Sequence, residues 1–347
     1  MIPAYLALGS NLGDRKATLD AALIALAETP GVVVRGVSSY HETTPVGGPV
    51  GQGAFLNAAA AIETSLDPRP LMIALQTIEA RAGRVRDVRW DERTLDLDLL
   101  LYGDRVFDEP GLTIPHPRMA VRRFVLVPLA EIAPDAVDPL TRRTIVDLIA
   151  HLARKPNFLC LIGMPLGVFR RVAEGLNAIG MYEATKSRES LESETDLLND
   201  PDFFAILDRK IREFDIDRWS TEIWGDRWML SNFCPDLMAR DAAFRLKNDD
   251  LTRWRDLFRE SRQRSVHPSF VMASPYSYWQ LRRWADMNRD NPLGGSDIPL
   301  LCPGYANPFG FIQQNFLTSG LIKRPAPASF DTITTEILAA CAASQVR

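Results

Sequence analysis

Arg93-Thr94-Leu95-Asp96-Leu97-Asp98-Leu99-Leu100-Leu101-Tyr102 is the stretch on which the reading of this chain turns. Leucine and aspartate alternate, so on a β-strand Asp96 and Asp98 share one face, and Leu95, Leu97 and Leu99 the other. The two carboxylates then stand roughly 7 Å apart at Cα. Unpaired, they repel, and one tends to take up a proton. A hard divalent cation resolves the conflict, because Mg2+ is typically held by one or two carboxylates together with substrate phosphates. Arg93 adds a planar donor fork suited to phosphate. A half-buried strand with a solvated acidic face is the alternative, and the surrounding sequence bears on the choice.

Immediately upstream lies Gly83-Arg84-Val85-Arg86-Asp87-Val88-Arg89-Trp90-Asp91-Glu92-Arg93, an arginine-rich loop. Four cations beside two anions balance if a polyphosphate and metal lie between them; an ordinary exposed basic loop is the other reading. Working back towards the start, Phe55-Leu56-Asn57-Ala58-Ala59-Ala60-Ala61-Ile62 reads as a strand. Its Asn57 can offer donor and acceptor to a heteroaromatic edge. Between Thr43 and Gly53, glycines and prolines exclude regular structure and predict a mobile loop. Ala4–Leu8 is a first strand, and Asp14 caps a helix whose inward positions are Leu19, Ala22, Leu23 and Leu26. Val32–Val34 and Val37–Tyr40 form a further strand. Leu71 to Arg81 is an amphipathic helix with Leu71, Ala74, Leu75 and Ile78 inward. Downstream, His116 is pinned between Pro115 and Pro117, ahead of Arg122-Arg123-Phe124. Strand, helix, strand, strand, helix, strand is the plan of an α+β ferredoxin-like domain, with an antiparallel sheet backed by helices.

These residues resemble the 6-hydroxymethyl-7,8-dihydropterin pyrophosphokinase family over residues 1–154. The likeness runs through Ala7–Asp14, Phe55–Ala58, Gly83–Arg86, Arg89-Trp90, Arg93–Asp98 and Pro115–Phe124. It implies ATP-dependent diphosphate transfer in folate biosynthesis. It also implies that Asp96 and Asp98 bind two Mg2+ ions bracketing the ATP phosphates, while Arg84 and Arg93 act in catalysis on the transferring group. ATP would be held by Arg84, Arg86, Leu97, Ile114, His116 and Arg122. The dihydropterin would be held by Thr44, Pro45, Val46, Phe55, Asn57, Trp90 and Phe124, its ring stacked between the two phenylalanines. Trp90 lies on a loop that closes over substrates in the family. Where some members carry tyrosine this chain has Phe55 and Pro117, which keeps stacking at Phe55 but removes a hydroxyl contact.

With 347 residues the chain is long enough for two domains. Arg154-Lys155-Pro156-Asn157 is a natural linker, and six of the seven tryptophans fall beyond it, which marks the second part as different. That part opens with Phe158–Ile162, an apolar run suited to a buried parallel strand, then Gly163-Met164-Pro165-Leu166-Gly167-Val168-Phe169-Arg170-Arg171. Strand, glycine turn and helix is where a phosphate-binding loop sits, yet Phe169, Arg170 and Arg171 replace the last glycine, the lysine and the hydroxyl residue. Residues 157–347 weakly resemble the deoxynucleoside kinase family. Phe158–Arg171 stands for its first strand and loop, and Phe330–Leu338 for its final helix, while Glu183 takes the place of an acidic base. The implied architecture is a degenerate α/β P-loop-kinase-like domain, mostly helical with a parallel sheet, serving structure, regulation or homodimerisation. A bifunctional enzyme phosphorylating nucleosides and a non-catalytic scaffold are the competing readings.

A net charge of -4 gives no basic field to attract nucleic acid. No apolar run is long enough to span a bilayer, and the start of the chain lacks the features of a signal peptide. The four cysteines are widely spaced, which fits a reducing cytoplasm rather than a disulfide framework.

Overall fold

The computed structural model describes residues 1–46, 51–83, 93–154, 157–176, 178, 181–182, 227–231, 270–273, 300–301 and 329–345. By internal contacts the chain divides into two units: Met1–Ala153 with Gly304–Arg347, and Arg154–Pro303.

The first unit is built on an antiparallel sheet. Its strands are β1 (Ile2–Ser10), β2 (Val32–Val37), β3 (His41–Thr43), β4 (Phe55–Thr64) and β5 (Asp96–Tyr102). They lie in the order β2-β4-β1-β5, with β3 also pairing with β4. Helices α1 (Arg15–Ala27) and α2 (Pro68–Arg81) provide the two crossovers, giving the expected α+β plan with a split strand, β2 followed by β3. Asp14 caps α1, its carboxylate accepting from the Ala17 N–H at 3.0 Å. Pro68 opens α2, where a missing N–H costs nothing. Leu19, Ala22 and Leu26 of α1 pack with Leu71, Leu75 and Ile78 of α2 in a core that includes Leu6, Leu8, Ala60, Ile62, Leu97 and Leu99.

The leucines of β5 follow the alternation as far as Leu99. There the pairing with β1 shifts, from Leu6↔Leu99 to Tyr5↔Leu101, and Leu100 becomes the extra residue of a bulge. The bulge changes which face follows, so Leu99, Leu100, Leu101 and Tyr102 are all buried. A short hairpin of β6 (Phe107–Glu109) and β7 (Leu112–Ile114) leads to a cis Ile114–Pro115 peptide and a 3-10 turn, Met119–Val121. The apolar run after Arg122 is helix α3 (Arg123–Ile132), with Pro128 inside it. Helix α4 (Ile145–Leu152) follows, opened by a reciprocal cap between Thr144 and Asp147.

Among the described residues the second unit has five parallel strands: β8 (Asn157–Ile162), β9 (Met181–Tyr182), β10 (Trp228–Ser231), β11 (Phe270–Ala273) and β12 (Leu300–Leu301). Their order is β12-β11-β8-β10-β9, and every pairing is parallel. The first strand, β8, therefore sits in the middle and is buried along almost its whole length. Gly163, at φ 64, turns the chain into helix α5 (Leu166–Gly175).

The helix expected to close the second part is α6 (Phe330–Gln345), and its contacts group it with the first unit instead. It packs on α3 and on the 3-10 turn. Among the described residues no helix is long and apolar enough to cross a membrane.

Candidate active site

The open ends of β1, β4 and β5 carry the polar residues of this unit. Asp96 lies opposite Gly9 across the β1–β5 pair, and Asn57 lies opposite the same Gly9 across the β1–β4 pair. Gly9 is thus flanked by a carboxylate and an amide. A Cβ at that position would stand 3.3 Å from Asn57 Oδ1, so the absence of a side chain keeps the floor of the site open. Asn57 is buried and donates through Nδ2 to Thr43 Oγ1 at 2.8 Å. That bond ties β4 to the stretch entering the Thr44–Val46 loop.

Two further contacts fix the acidic end of β5. The Arg93 N–H donates to Asn11 Oδ1 at 2.7 Å, and the Asn11 N–H donates to the Arg93 carbonyl at 3.1 Å. The segment before β5 is thereby stapled to the turn after β1. On the free edge of β5, the Leu97 N–H donates to Glu79 Oε1 of α2 at 2.8 Å. Glu79 is buried and takes up the edge N–H that lies between the two aspartates.

The charged groups converge here. Arg93 Nη1 is 2.6 Å from Asp96 Oδ2. Asp98 Oδ2 is 3.6 Å from His116 Nε2 and 3.7 Å from Arg122 Nη1. His116 is held to β5 by its N–H, which donates to the Leu100 carbonyl at 2.9 Å. Burial, together with the cations of Arg122 and Arg118, pushes its imidazole down to about 3, so it is neutral near pH 7. Burial also lowers Arg122, to about 10, against the opposing pull of Asp98, and it stays charged. Arg122 and Phe124 flank the start of α3, whose positive dipole end meets the same space; the guanidinium lies 5.5 Å from the Phe124 ring centre.

Arg93, Asp96, Asp98, Arg122 and Phe124 border one cleft open to solvent; His116 stands behind Asp98 and does not line it. The floor of the cleft is Ala7, Leu8 and Gly9. Phe55, Asn57, Phe124, Thr44 and Val46 form its apolar part, and Arg93, Asp96, Asp98, Arg118 and Arg122 its charged part. The cleft thus places two aromatic rings and an amide beside a carboxylate pair with three arginines. Leu97 and Ile114 are brought near, but their side chains are in the hydrophobic core, which leaves their main-chain atoms as what they can offer a ligand. Pro45 adjoins lining residues on both sides. Arg84, Arg86 and Trp90 lie outside the described residues.

The lining residues not anticipated include Arg118 and, on α6, Glu336, Ala339, Ala340 and Ala343. Arg118 had a weak signal, as the first cation after His116 in a basic run. The residues of α6 had none, since nothing local links them to a strand more than two hundred positions earlier.

A divalent ion fits the donor set in one way. The side chains of Asp96 and Asp98 are 21% and 30% exposed, half-buried at the cleft wall and able to meet an ion from it. Among the described residues no group of three or more His, Cys, Asp or Glu side chains could hold a metal by itself. An ion at the aspartates would complete its shell with water and phosphate oxygens, as Mg2+ does.

Residues 5–134 match the family profile for 7,8-dihydro-6-hydroxymethylpterin-pyrophosphokinase (HPPK). The 2-amino-4-hydroxy-6-hydroxymethyldihydropteridine pyrophosphokinase of Haemophilus influenzae is 47% identical over 153 residues, which are 44% of this chain and 94% of that protein. That of Pseudomonas aeruginosa is 48% identical over 131 residues, 38% of this chain and 80% of the relative. The chain belongs to the HPPK family. The Synechocystis HPPK is a further relative, 45% identical over 149 residues, 43% of this chain and 75% of its own. The matched segment carries the whole cleft except the wall contributed by α6. A crystal structure of Plasmodium falciparum HPPK-DHPS aligns with 91% of this chain and 83% of its own, at 12% identity and a TM-score of 0.35. At that level neither fold nor activity transfers from it.

Proposed function

We propose that this HPPK family member transfers the terminal diphosphate of ATP to the hydroxymethyl group of 6-hydroxymethyl-7,8-dihydropterin, a step of folate biosynthesis. The observation that carries this is the single cleft in which Phe55, Asn57 and Phe124 stand beside Asp96, Asp98, Arg93 and Arg122. In the reaction the hydroxymethyl oxygen attacks the β-phosphorus of ATP. The bond from that phosphorus to the bridging oxygen of the α-phosphate breaks, AMP leaves, and the hydroxyl proton is lost to solvent. Such transfer needs positioning and charge neutralisation more than covalent help.

In this reading Asp96 and Asp98 hold two Mg2+ ions, which supply the positive charge that screens the phosphates. Arg93, with Arg84, meets charge developing on the transferring group. Neutral His116, Arg122, Arg86 and the main chain at Leu97 and Ile114 hold ATP. Phe55 and Phe124 stack the pterin ring, Asn57 bonds its edge, and Thr44, Pro45, Val46 and Trp90 complete its pocket. AMP release that depends on 6-hydroxymethyl-7,8-dihydropterin tests the proposal, and ATP consumption indifferent to the pterin overturns it.

For residues 157–303 the same reading takes a non-catalytic, kinase-like domain that supports homodimerisation, in a cytoplasmic protein. Five parallel strands with the first at the centre, followed by a glycine turn, favour the kinase-like architecture. The start of α5 favours the loss of catalysis: Phe169 is buried in the unit's interior and Arg170 is exposed. No lysine with a neighbouring hydroxyl is present there to meet a phosphate and its metal.

A further inference from the structure

The cleft is bordered by a helix that the family-matched segment does not contain. Glu336, Ala339, Ala340 and Ala343 of α6 fall at helical spacings of three, four and seven and line the same space as Asp96, Asp98 and Arg122. The alanines leave room, whereas Glu336 brings charge. Its side chain is only 4% exposed, and its Oε2 lies 3.0 Å from Arg118 Nη2, across 218 residues of sequence. Arg118 in turn donates its N–H to His116 Nδ1 at 3.2 Å, so it belongs to the loop that carries the nucleotide-binding histidine.

A buried carboxylate is tolerated because a guanidinium compensates it. The same planar fork is a preferred partner for phosphate oxygens. Glu336 and a polyphosphate in this cleft are therefore rival anions for one cation. If phosphate takes Arg118, the buried carboxylate loses the guanidinium opposite it, and loosening of α6 is the way to rehydrate it. The docked helix also carries a cost of its own: Thr334 Oγ1 is buried without a hydrogen-bond partner.

We propose that Glu336 is an internal stand-in for a nucleotide phosphate, by which α6 latches the cleft through Arg118 until MgATP displaces it. The proposal rests on the reading of this cleft as an ATP site. By reciprocity of coupling, whatever loosens the latch tightens nucleotide binding.

The test uses the full chain, Mg2+ and α,β-methylene-ATP. Calorimetric titration of Glu336→Gln should give binding about fivefold tighter than wild type, or more. Hydrogen exchange of residues 330–345 in the wild type should speed up when the analogue is added. Equal or weaker binding by Glu336→Gln, or greater protection of α6, overturns the latch while leaving wild-type pterin-dependent AMP release intact. Binding by neither protein overturns the ATP reading and the latch together. Should Glu336→Gln fail to fold by thermal melting, the wild-type exchange result alone decides.

Discussion

Two strand ends in this chain look alike in outline and differ in what surrounds them. β5 begins at Asp96 beside the turn after β1, and β8 ends at Ile162, where Gly163 turns the chain towards α5. At β5 the charges are held at a cost: Asp96, Asp98, Arg93 and Arg122 are mostly buried, and each faces an opposite charge. At α5 the charges cost nothing. Arg170 and Glu174 are exposed, while Val168, Phe169, Val172 and Ala173 turn inward, as on any amphipathic helix. Charge withdrawn from water and then paired marks a site, because folding alone gains little from it. A strand and turn of the right shape, without such charge, marks only a fold.

The contrast is broken most severely at Asp98. Asp98→Asn keeps the shape of the side chain but removes an anion from the metal-binding pair and from Arg122. Turnover should fall about a thousandfold, the effect of losing several kcal/mol of charge stabilisation. The melting temperature should move little. Turnover near the wild-type value at saturating Mg2+ would show that the paired charges at β5 are structural.

A smaller effect is expected beneath the strand. Glu79→Ala leaves the buried Leu97 N–H without its acceptor, at a cost of about 1–3 kcal/mol. Thermal melting should register a drop of several degrees, and kcat should fall through misplacement of the two aspartates that flank Leu97. Glu79→Gln, whose amide oxygen can still accept, should restore most of both. A kcat loss that glutamine does not rescue would mean the charge of Glu79 itself acts on the site.

The least effect belongs to α5. Arg170→Ala should change stability by no more than about 0.5 kcal/mol and leave pterin-dependent AMP release untouched. Assayed against a panel of deoxynucleosides with ATP, neither wild type nor variant should form a nucleotide. Nucleoside phosphorylation lost in Arg170→Ala would erase the contrast and make the second unit a working kinase.

Much of the first unit was legible because local rules agree with the global fold. The Leu–Asp alternation, the Asp14 cap and the spacing of Leu71, Leu75 and Ile78 each point to the element observed. Leu100 shows where that legibility stops. A bulge is set by the partner strand, so an unbroken apolar run hides the position at which its face changes. Val125–Leu129 was equally opaque: five apolar residues with Pro128 among them fit no period, yet packing makes them a helix. Of the cleft, Arg93, the carboxylate pair and Asn57 could be read from residue type and order, whereas Arg122 and the aromatic pair came only with the family resemblance. Glu336 could be read from neither, since its partner Arg118 is 218 positions away and nothing in its own neighbourhood marks it.

That separation also sets a timetable for synthesis. The residues of the second unit are made after Arg118 and before Glu336. At about 5–20 residues per second, the interval between the two partners is roughly 10–40 s on the ribosome. The sheet of β1–β5 can form within that time, so the nascent cleft stands without its α6 wall, its arginines accessible to nucleotide. A ligand present during translation would therefore meet the site before the last wall does, and the order of arrival, as well as affinity, would decide which anion Arg118 holds first.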